Sequence, residues 1–362
     1  MTRLARLSVQ GFKSIRELRD FELASGLNVL IGANGAGKSN FISLFRMLAE
    51  MMQGQLERYV IDENGPDKLL FGGRKRSRGI DVDLRFGLNG YHFTLVPAAN
   101  HLIFEVEETH FSGTYAKNYK QSLGRNQTEA KLPTGAGGEV ATYVLPAVRS
   151  WRVYHFHDTS PSAQVRLRHE ARDNLVLKPY AQNLAPFLLM LRRNHPSSYS
   201  SIVETIRMVA PFFGDFLDRG ESSQSIELEW LETGDPDTPR GPLQLSDGTL
   251  RFICLVTLLL QPRRLQPDTI IVDEPELGLH PYALATLGAL LRQASENKQI
   301  IVSTQSVELV NQLSPEDIIV VERQEGASEF RRLVPQHLEQ WLNDYALGEL
   351  WKMNVIGGRP TR

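Results

Sequence analysis

Gly32-Ala-Asn-Gly-Ala-Gly-Lys-Ser39 is the stretch on which the fold turns. It fits the pattern G-x-x-x-x-G-K-[ST], and its flanks supply the context that pattern needs. Upstream, Leu27-Asn-Val-Leu-Ile31 is a short apolar run that reads as a buried strand. Downstream, Phe41, Leu44, Phe45, Leu48 and Met52 recur at helical spacing, and Gly54 stands where a C-cap is expected. In a strand–loop–helix unit of this kind the glycines let consecutive backbone N–H groups curl around phosphates. The helix N-terminus adds roughly half a positive charge. Lys38 would then reach the β- and γ-phosphates, and the Ser39 hydroxyl would bind Mg²⁺.

A second stretch has matching chemistry. Thr269-Ile-Ile-Val-Asp-Glu274 is a β-branched run ending in two acids. Such a run is buried on both faces, and its C-terminal end is where ligands sit in open α/β sheets. Adjacent acids at a strand end project differently, so Asp273 is assigned to the Mg²⁺ shell and Glu274 to the general base. The surrounding pattern alternates helix and strand as a parallel sheet requires: helix Asp247–Leu260, strand Thr269–Asp273, helix Tyr282–Ala294, strand Ile300–Ser303.

Composition narrows the class. Of 362 residues, 41% are hydrophobic and 23% charged, as in ordinary soluble proteins. Lys and Arg number 40 against 42 Asp and Glu, a net charge of −2, so any nucleic-acid contact must come from a local basic patch. A single cysteine, Cys254, sits between Ile253 and Leu255 and reads as a small buried hydrophobe in a reducing compartment. With no long apolar run and no signal core, a soluble cytoplasmic protein without a membrane partner is expected.

Between the two motifs the pattern changes. Ile80, Val82, Leu84 and Phe86 alternate with polar residues, Asn89-Gly90 signals a hairpin, and Tyr91 to Leu95 and Leu102 to Val106 resume the alternation. This predicts an antiparallel meander. Residues 113–140 are polar and Gly-rich and read as a mobile loop. Two helices follow around Asn183–Arg193 and Ser200–Val209, then a short strand over Ser225–Leu231.

A third motif sets the subclass. Leu245-Ser-Asp-Gly-Thr249 opens the apolar helix that ends at Leu260. Ser246 can cap it and Gly248 permits close backbone approach, a second anion site. This resembles the signature of ABC-type ATPases, in which Leu-Ser-Gly-Gly is commoner; here Asp247 replaces the first glycine. With Glu274-Pro-Glu-Leu-Gly-Leu-His-Pro281 and Phe12-Lys-Ser14, the set resembles the heads of the RecF/SMC and overcoming-lysogeny-defect families. The motifs carrying that resemblance lie in residues 1–55 and 240–325. The chain is also similar throughout to bacterial AAA-family ATPases found near phage-defence genes.

The resemblance implies an α/β fold: an ABC-type P-loop NTPase head with a mixed core sheet, an antiparallel meander and an inserted helical lobe. It divides the chain into 1–112 (phosphate loop and meander), 113–240 (inserted loop and lobe) and 241–362 (signature, acid pair and switch). ATP and Mg²⁺ are the implied cofactors, with Asn34, Gly35, Ala36, Gly37, Lys38, Ser39 and Asn40 on the nucleotide. Two heads would sandwich two ATPs as a homodimer, Ser246 and Gly248 acting on the partner's γ-phosphate and Glu276–Pro281 crossing the interface. Related heads often carry a switch His after the strand Ile300–Ser303. Gln305 stands there in this sequence and cannot become cationic near neutral pH, so slow hydrolysis is expected. The implied role is a DNA-repair or antiviral-defence ATPase working through a separate nuclease or Toprim-like effector, with DNA as a further partner. The competing readings are a transporter ATPase subunit and an ATP-dependent interaction module with little turnover.

Two lesser features remain. Trp151-Arg-Val-Tyr-His-Phe-His-Asp158 puts His155 and His157 on one strand face, without an apparent third metal ligand; His157 and Asp158 read better as a hinge between lobes. Arg74-Lys-Arg-Ser-Arg78 is either a DNA-phosphate contact or a solvated charge run.

Overall fold

Alternate side chains of the central strands enter two different cores. Val29, Ile31, Ile270, Val272, Ile300 and Val302 face one. Leu30, Ile271, Ile301, Ile319 and Val321 face the other. This is the period-two consequence of strands buried on both faces. The computed structural model describes residues 3–113, 118–220 and 224–359.

The central sheet has six strands in the order Ala327–Arg332, Ile318–Gln324, Leu27–Ile31, Gln299–Thr304, Thr269–Asp273 and Arg152–Tyr154. All neighbours are parallel except the first pair, an antiparallel hairpin. The strands ending at Ile31, Thr304, Asp273 and Tyr154 therefore open on the same edge. That edge collects the phosphate loop, Gln305, the acid pair and the two histidines.

On one face, helix Lys38–Met51 lies between the central sheet and a second sheet. This second sheet is antiparallel throughout, in the order Ile15–Glu22, Arg6–Phe12, Ile80–Phe86, Asn89–Ala98, His101–Phe111, Tyr119–Gly124. The expected meander is present, but its first turn is Gly87-Leu88, since Phe86 pairs with Asn89. Asn89 and Gly90 already belong to the strand. Gly90 is needed there because a Cβ would lie 2.0 Å from the His110 ring.

The segment read as a mobile loop is largely ordered structure. It holds the sixth meander strand, a short 3-10 turn at Leu132–Thr134 and the helix Gly138–Ser150. Only 114–117 lie outside the described residues. Both the strand and the helix join the meander layer, although they fall inside the stretch 113–240.

On the opposite face, helices Leu184–Asn194, Pro196–Val209, Asp247–Leu260 and Pro281–Ser295 share the other core. Helix Asp247–Leu260 is apolar nearly all round because it is buried nearly all round. Its Cys254 is buried, and burial pushes the thiol up to about 12, so it acts as packing. The strand expected over Ser225–Leu231 is broken into Ser225–Ile226 and Trp230–Glu232, which pair with different partners. Among the described residues no helix is long and apolar enough to cross a membrane.

Candidate active site

The phosphate loop rests on serines from both ends of the chain. The Ser328 hydroxyl donates to the Ala36 carbonyl at 2.5 Å and lies 2.7 Å from the Ser14 hydroxyl. Ser14 in turn accepts from the Asn40 amide at 2.7 Å. Gly37 sits over this pair with φ +115°, and a Cβ there would lie 1.9 Å from Ser328 Oγ. At Gly35 (φ +80°) an added Cβ would meet nothing within 4 Å. One glycine is demanded by packing below the loop, the other by backbone conformation beside open space. Asn34, Gly35 and Ser39 are exposed at the mouth, whereas Ala36 and Lys38 are buried.

Lys38 lies beneath this loop, 4% exposed, with Nζ donating to the carbonyls of Gly32 at 2.7 Å and Ala33 at 3.2 Å. Burial holds its pKa below the ordinary lysine value, opposed by the charges of Glu274, Glu276 and Asp273. The site is thus a concave run of backbone around one cation with three acids in its field. Such a cradle, open at Gly35 and backed by a helix N-terminus, fits a phosphate chain.

The acids diverge because Glu274 adopts a left-handed conformation, φ +43°. Such conformations cost energy in non-glycine residues and cluster at functional positions. Asp273 stays buried, accepting from the Ser303 hydroxyl, while its carbonyl accepts from His157 Nε2 at 2.8 Å. Glu274 turns outward, its N–H donating to Ser303 O at 2.9 Å. The Gln305 amide donates to Glu274 Oε1 at 2.6 Å, and the Gln305 backbone N–H donates to Glu276 Oε1 at 2.7 Å. Glu276 is 8% exposed, and its Oε2 has no hydrogen-bond partner among the described residues. Burial raises its pKa above the ordinary glutamate value, against hydrogen bonds from Gln305 and Thr304 that favour the anion.

Ser246 and Gly248 have different surroundings. Exposed Ser246 caps its helix, accepting from the Thr249 N–H at 3.2 Å. Gly248 packs on the turn after the acids, where a Cβ would lie 2.4 Å from Gly278 O. Their contacts run to Thr249 and Gly278, not to the phosphate loop. Asp247 accepts from Arg166 at 2.8 Å. The Arg166 side chain, 4% exposed, also donates to the carbonyls of Thr159, Pro242 and Leu245. One turn on, Arg251 donates to Leu277 O at 3.1 Å and His157 O at 2.7 Å. The helix opening is thereby tied to both segments that flank the acid strand.

The structure brings Asn34 to Asn40, Asp273, Glu274 and Gln305 to one sheet edge, with Asn40 turned toward Ser14. It sets Ser246 and Gly248 on a separate helix start. His155 and His157 lie beyond the strand, which ends at Tyr154, with ring centroids 5.9 Å apart. Among the described residues no cluster of three His, Cys, Asp or Glu can hold a metal ion. In the basic run, Arg74 pairs with Asp67 and Arg78 with Glu105, while Lys75 and Arg76 are exposed. Sequence reasoning missed the roles of Ser328, Arg166, Arg251 and Glu276. Only Ser14 carried a local signal, through Phe12-Lys-Ser14.

Similarity to known proteins bears on this geometry. The family described as "AAA domain, putative AbiEii toxin, Type IV TA system" matches residues 27–111 and 148–311, more than half of the chain. A "Putative ABC transporter ATP-binding protein" of Methanosarcina acetivorans is 35% identical over 118 residues, 32% of this chain and 38% of that protein. The energy-coupling factor transporter ATP-binding protein EcfA2 of Staphylococcus aureus is 35% identical over 85 residues, 23% of this chain and 28% of that protein. The chain therefore spans well under half the length of these curated relatives. Among solved structures, an SMC head bound to the C-winged helix domain of ScpA superposes with TM-score 0.59 at 13% identity, covering 93% of this chain and 99% of that one. An SMC head with an extended coiled coil, bound to the C-terminal domain of ScpA from Pyrococcus furiosus, gives 0.59 at 12% identity, with 95% and 99% covered. At such identities the likeness is one of fold. The chain belongs to the family described as "AAA domain, putative AbiEii toxin, Type IV TA system", and its fold is that of the SMC head.

Proposed function

We propose that this head binds and hydrolyses ATP, closes as a homodimer around it, and gates a DNA-directed or phage-defence process through a separate nuclease or Toprim-like effector. The observation that carries the reading is the gathering of Lys38, Asp273, Glu274 and Gln305 at one sheet edge, with the acids' charges acting on Lys38. The N–H groups of Asn34 to Ser39 and the Lys38 ammonium would hold the phosphates. Ser39 and Asp273 would hold Mg²⁺, which supplies charge neutralisation when bound. Glu274 would take the proton of the attacking water, and Gln305 would orient that carboxylate or the water. Ser246 and Gly248 would complete the site of the partner subunit. The division into 1–112, 113–240 and 241–362 belongs to this reading, with 113–240 as the inserted loop and helical lobe, although its strand Tyr119–Gly124 and helix Gly138–Ser150 pack in the meander layer. That SMC heads, which share this fold, are seen with ScpA supports an effector held by a separate chain.

A second reading, a transporter ATPase subunit, is favoured by the names of the two curated relatives. Against it, the signature follows the phosphate loop only after the whole meander and helical lobe. A third, an interaction module with little turnover, is separated by measured hydrolysis. The deciding experiment follows phosphate release and sedimentation of wild type and Glu274→Gln with and without ATP–Mg²⁺. Slow hydrolysis by wild type and an ATP-dependent dimer in the variant support the head; a monomer without turnover in both rejects it.

A further inference from the structure

Along the outer edge of the strand Arg152–Tyr154 runs a cleft of about 490 Å³, separate from the phosphate loop. It is walled by helix Lys38–Met51 on one side and by the segment around Tyr180 on the other. Arg46, Arg149 and Arg152 line it, with Glu50 as the acid among the lining residues. Among the described residues none of the three guanidinium groups makes an ion pair: Arg149 donates to Pro133 O, Arg152 to Ser150 O, and Arg46 lies 6.0 Å from the Tyr59 ring. Elsewhere on the surface Arg6, Arg78, Arg85 and Arg219 are each neutralised by a carboxylate. Three cations against one acid leave the concavity with an excess of positive charge, a polyanion site in miniature.

The far wall is aromatic. The His155 and Tyr180 rings stack at 6.0 Å and 22°, and the pair is fixed by a 3.0 Å hydrogen bond from the His155 N–H to Pro179 O. Tyr180 is 46% exposed, so part of its ring remains open to a stacking partner. Burial lowers the His155 pKa, which favours the neutral ring suited to stacking. At the inner wall Trp151 is 2% exposed, and its indole N–H has no hydrogen-bond partner. Cations spaced along a groove beside a stacking platform are the recurring recipe for single-stranded nucleic acid, because phosphates and unpaired base faces are then met together. A duplex offers no free base face, and a cavity in the small-ligand range of roughly 300–1,000 Å³ cannot admit one.

We infer that this cleft binds a single strand of nucleic acid, phosphates on Arg46, Arg149 and Arg152 and a base on Tyr180. The inference deepens the nucleic-acid part of the proposed function but needs neither nucleotide binding nor dimerisation. The same segment carries His157, which holds the Asp273 carbonyl, so the cleft and the acid strand share one element.

The test is fluorescence anisotropy of a labelled oligodeoxythymidine of about 15 nucleotides, using the full chain without ATP. Wild type is expected to bind in low salt. Tyr180→Ala should weaken binding at least about fivefold. The Arg46→Ala/Arg149→Ala/Arg152→Ala variant should flatten the dependence of log K on log salt by about 2, at about 0.7 per lost single-strand phosphate contact. Lys75→Ala/Arg76→Ala, in the exposed basic loop, should bind as wild type. The inference is overturned if wild type does not bind, if the cleft variants bind like wild type, or if the basic-loop variant accounts for the loss. It is equally overturned if a duplex of the same length binds as tightly. Displacement of the oligonucleotide from Lys38→Ala by inorganic triphosphate at similar affinity would identify a free-phosphate site and overturn it too. Failure of the ATPase reading would leave all these outcomes unchanged.

Discussion

Gln305 holds Glu274 by a 2.6 Å hydrogen bond from its side-chain amide, while its own backbone N–H is held at 2.7 Å by Glu276. Three consecutive dependencies follow: a buried carboxyl fixes a turn, the turn aims an amide, and the amide fixes the candidate base. Glu276 touches none of the groups assigned to chemistry except through Gln305. It is a positioning residue.

Removing that anchor should therefore affect rate rather than affinity. Glu276→Ala is expected to lower ATPase kcat by about 10–10²-fold, since displacement of a catalytic group by about 1 Å can cost 10²-fold. ATP affinity should change much less than the rate, because Glu276 acts on the phosphate loop only through its charge at Lys38. Glu276→Gln keeps an acceptor for the Gln305 N–H and should recover most of the rate. Equal losses in both variants would show that the negative charge, and not the anchor, matters.

The same buried carboxyl makes stability pH-dependent. Its pKa is raised by burial in the fold above the ordinary 4.5. Below 4.5 both folded and unfolded chains hold the proton. As pH rises from there through the folded value, the unfolded chain has lost a proton that the fold still keeps, so stability falls. Glu276→Gln cannot ionise, and its melting temperature relative to wild type should climb through that window and then level off. Melting curves from about pH 4 to pH 8 read it directly; a constant difference would contradict the assignment.

Glycine substitutions should separate packing from ligand space within the loop. Gly37→Ala forces a Cβ to within 1.9 Å of Ser328 Oγ at φ +115°, so it must displace the Ser14–Ser328 support and unfold the loop at lower temperature. Gly35→Ala meets open space and costs only the left-handed conformation, about 1–2 kcal/mol. Thermal melts without nucleotide should rank Gly37→Ala well below Gly35→Ala. Similar melting points would mean that the serine pair does not carry the loop.

The parts legible in the sequence were those with a strong period or a fixed local pattern. The helix Asp247–Leu260 and the strand Thr269–Asp273 have the bounds their patterns predict, since nothing in the tertiary structure competes with a capping serine or a β-branched run. The strand Ile15–Glu22 was not legible: Ile15 and Leu18 are buried three apart and a register shift follows between Leu18 and Phe21, so the period of two is broken. Gly137, Gly138 and Pro146 masked the helix Gly138–Ser150, which packing on the meander sustains despite them. Ser328 and Arg166 act on segments 292 and 81 residues away, and no local pattern can announce such contacts.

Lys38 tests the nucleotide assignment itself. It is a buried cation with two carbonyls as partners and three acids in its field, an arrangement that favours an incoming phosphate over the groups it now touches. Lys38→Ala should abolish calorimetrically detectable ATP binding while leaving a cooperative melt. Lys38→Met, which keeps the apolar stem, should do the same with less loss of stability. A folded variant with unchanged affinity would remove the phosphate loop from the proposed mechanism.

The composite site is the most exposed part of the functional reading, because Ser246 lies on a helix start whose contacts are with Gly278 and Arg166 and not with its own phosphate loop. If Ser246 completes the partner's site, Ser246→Arg places bulk and a cation at the opposing γ-phosphate. It should block closure while each monomer still binds ATP. Loss of the Ser246 cap on the Thr249 N–H should cost about 1 kcal/mol and lower the melt modestly without unfolding the monomer. Mixing Lys38→Ala with Ser246→Arg subunits gives heterodimers in which one site carries both defects and the other carries none. That intact site should restore part of the ATPase activity absent from either variant alone, in proportion to the heterodimer fraction. Recovery requires both kinds of subunit in one particle, so it should vanish on dilution below the dimer range. Sedimentation as a monomer at every ATP concentration, together with full activity of Ser246→Arg, would reject the sandwich and leave a head that hydrolyses ATP on its own.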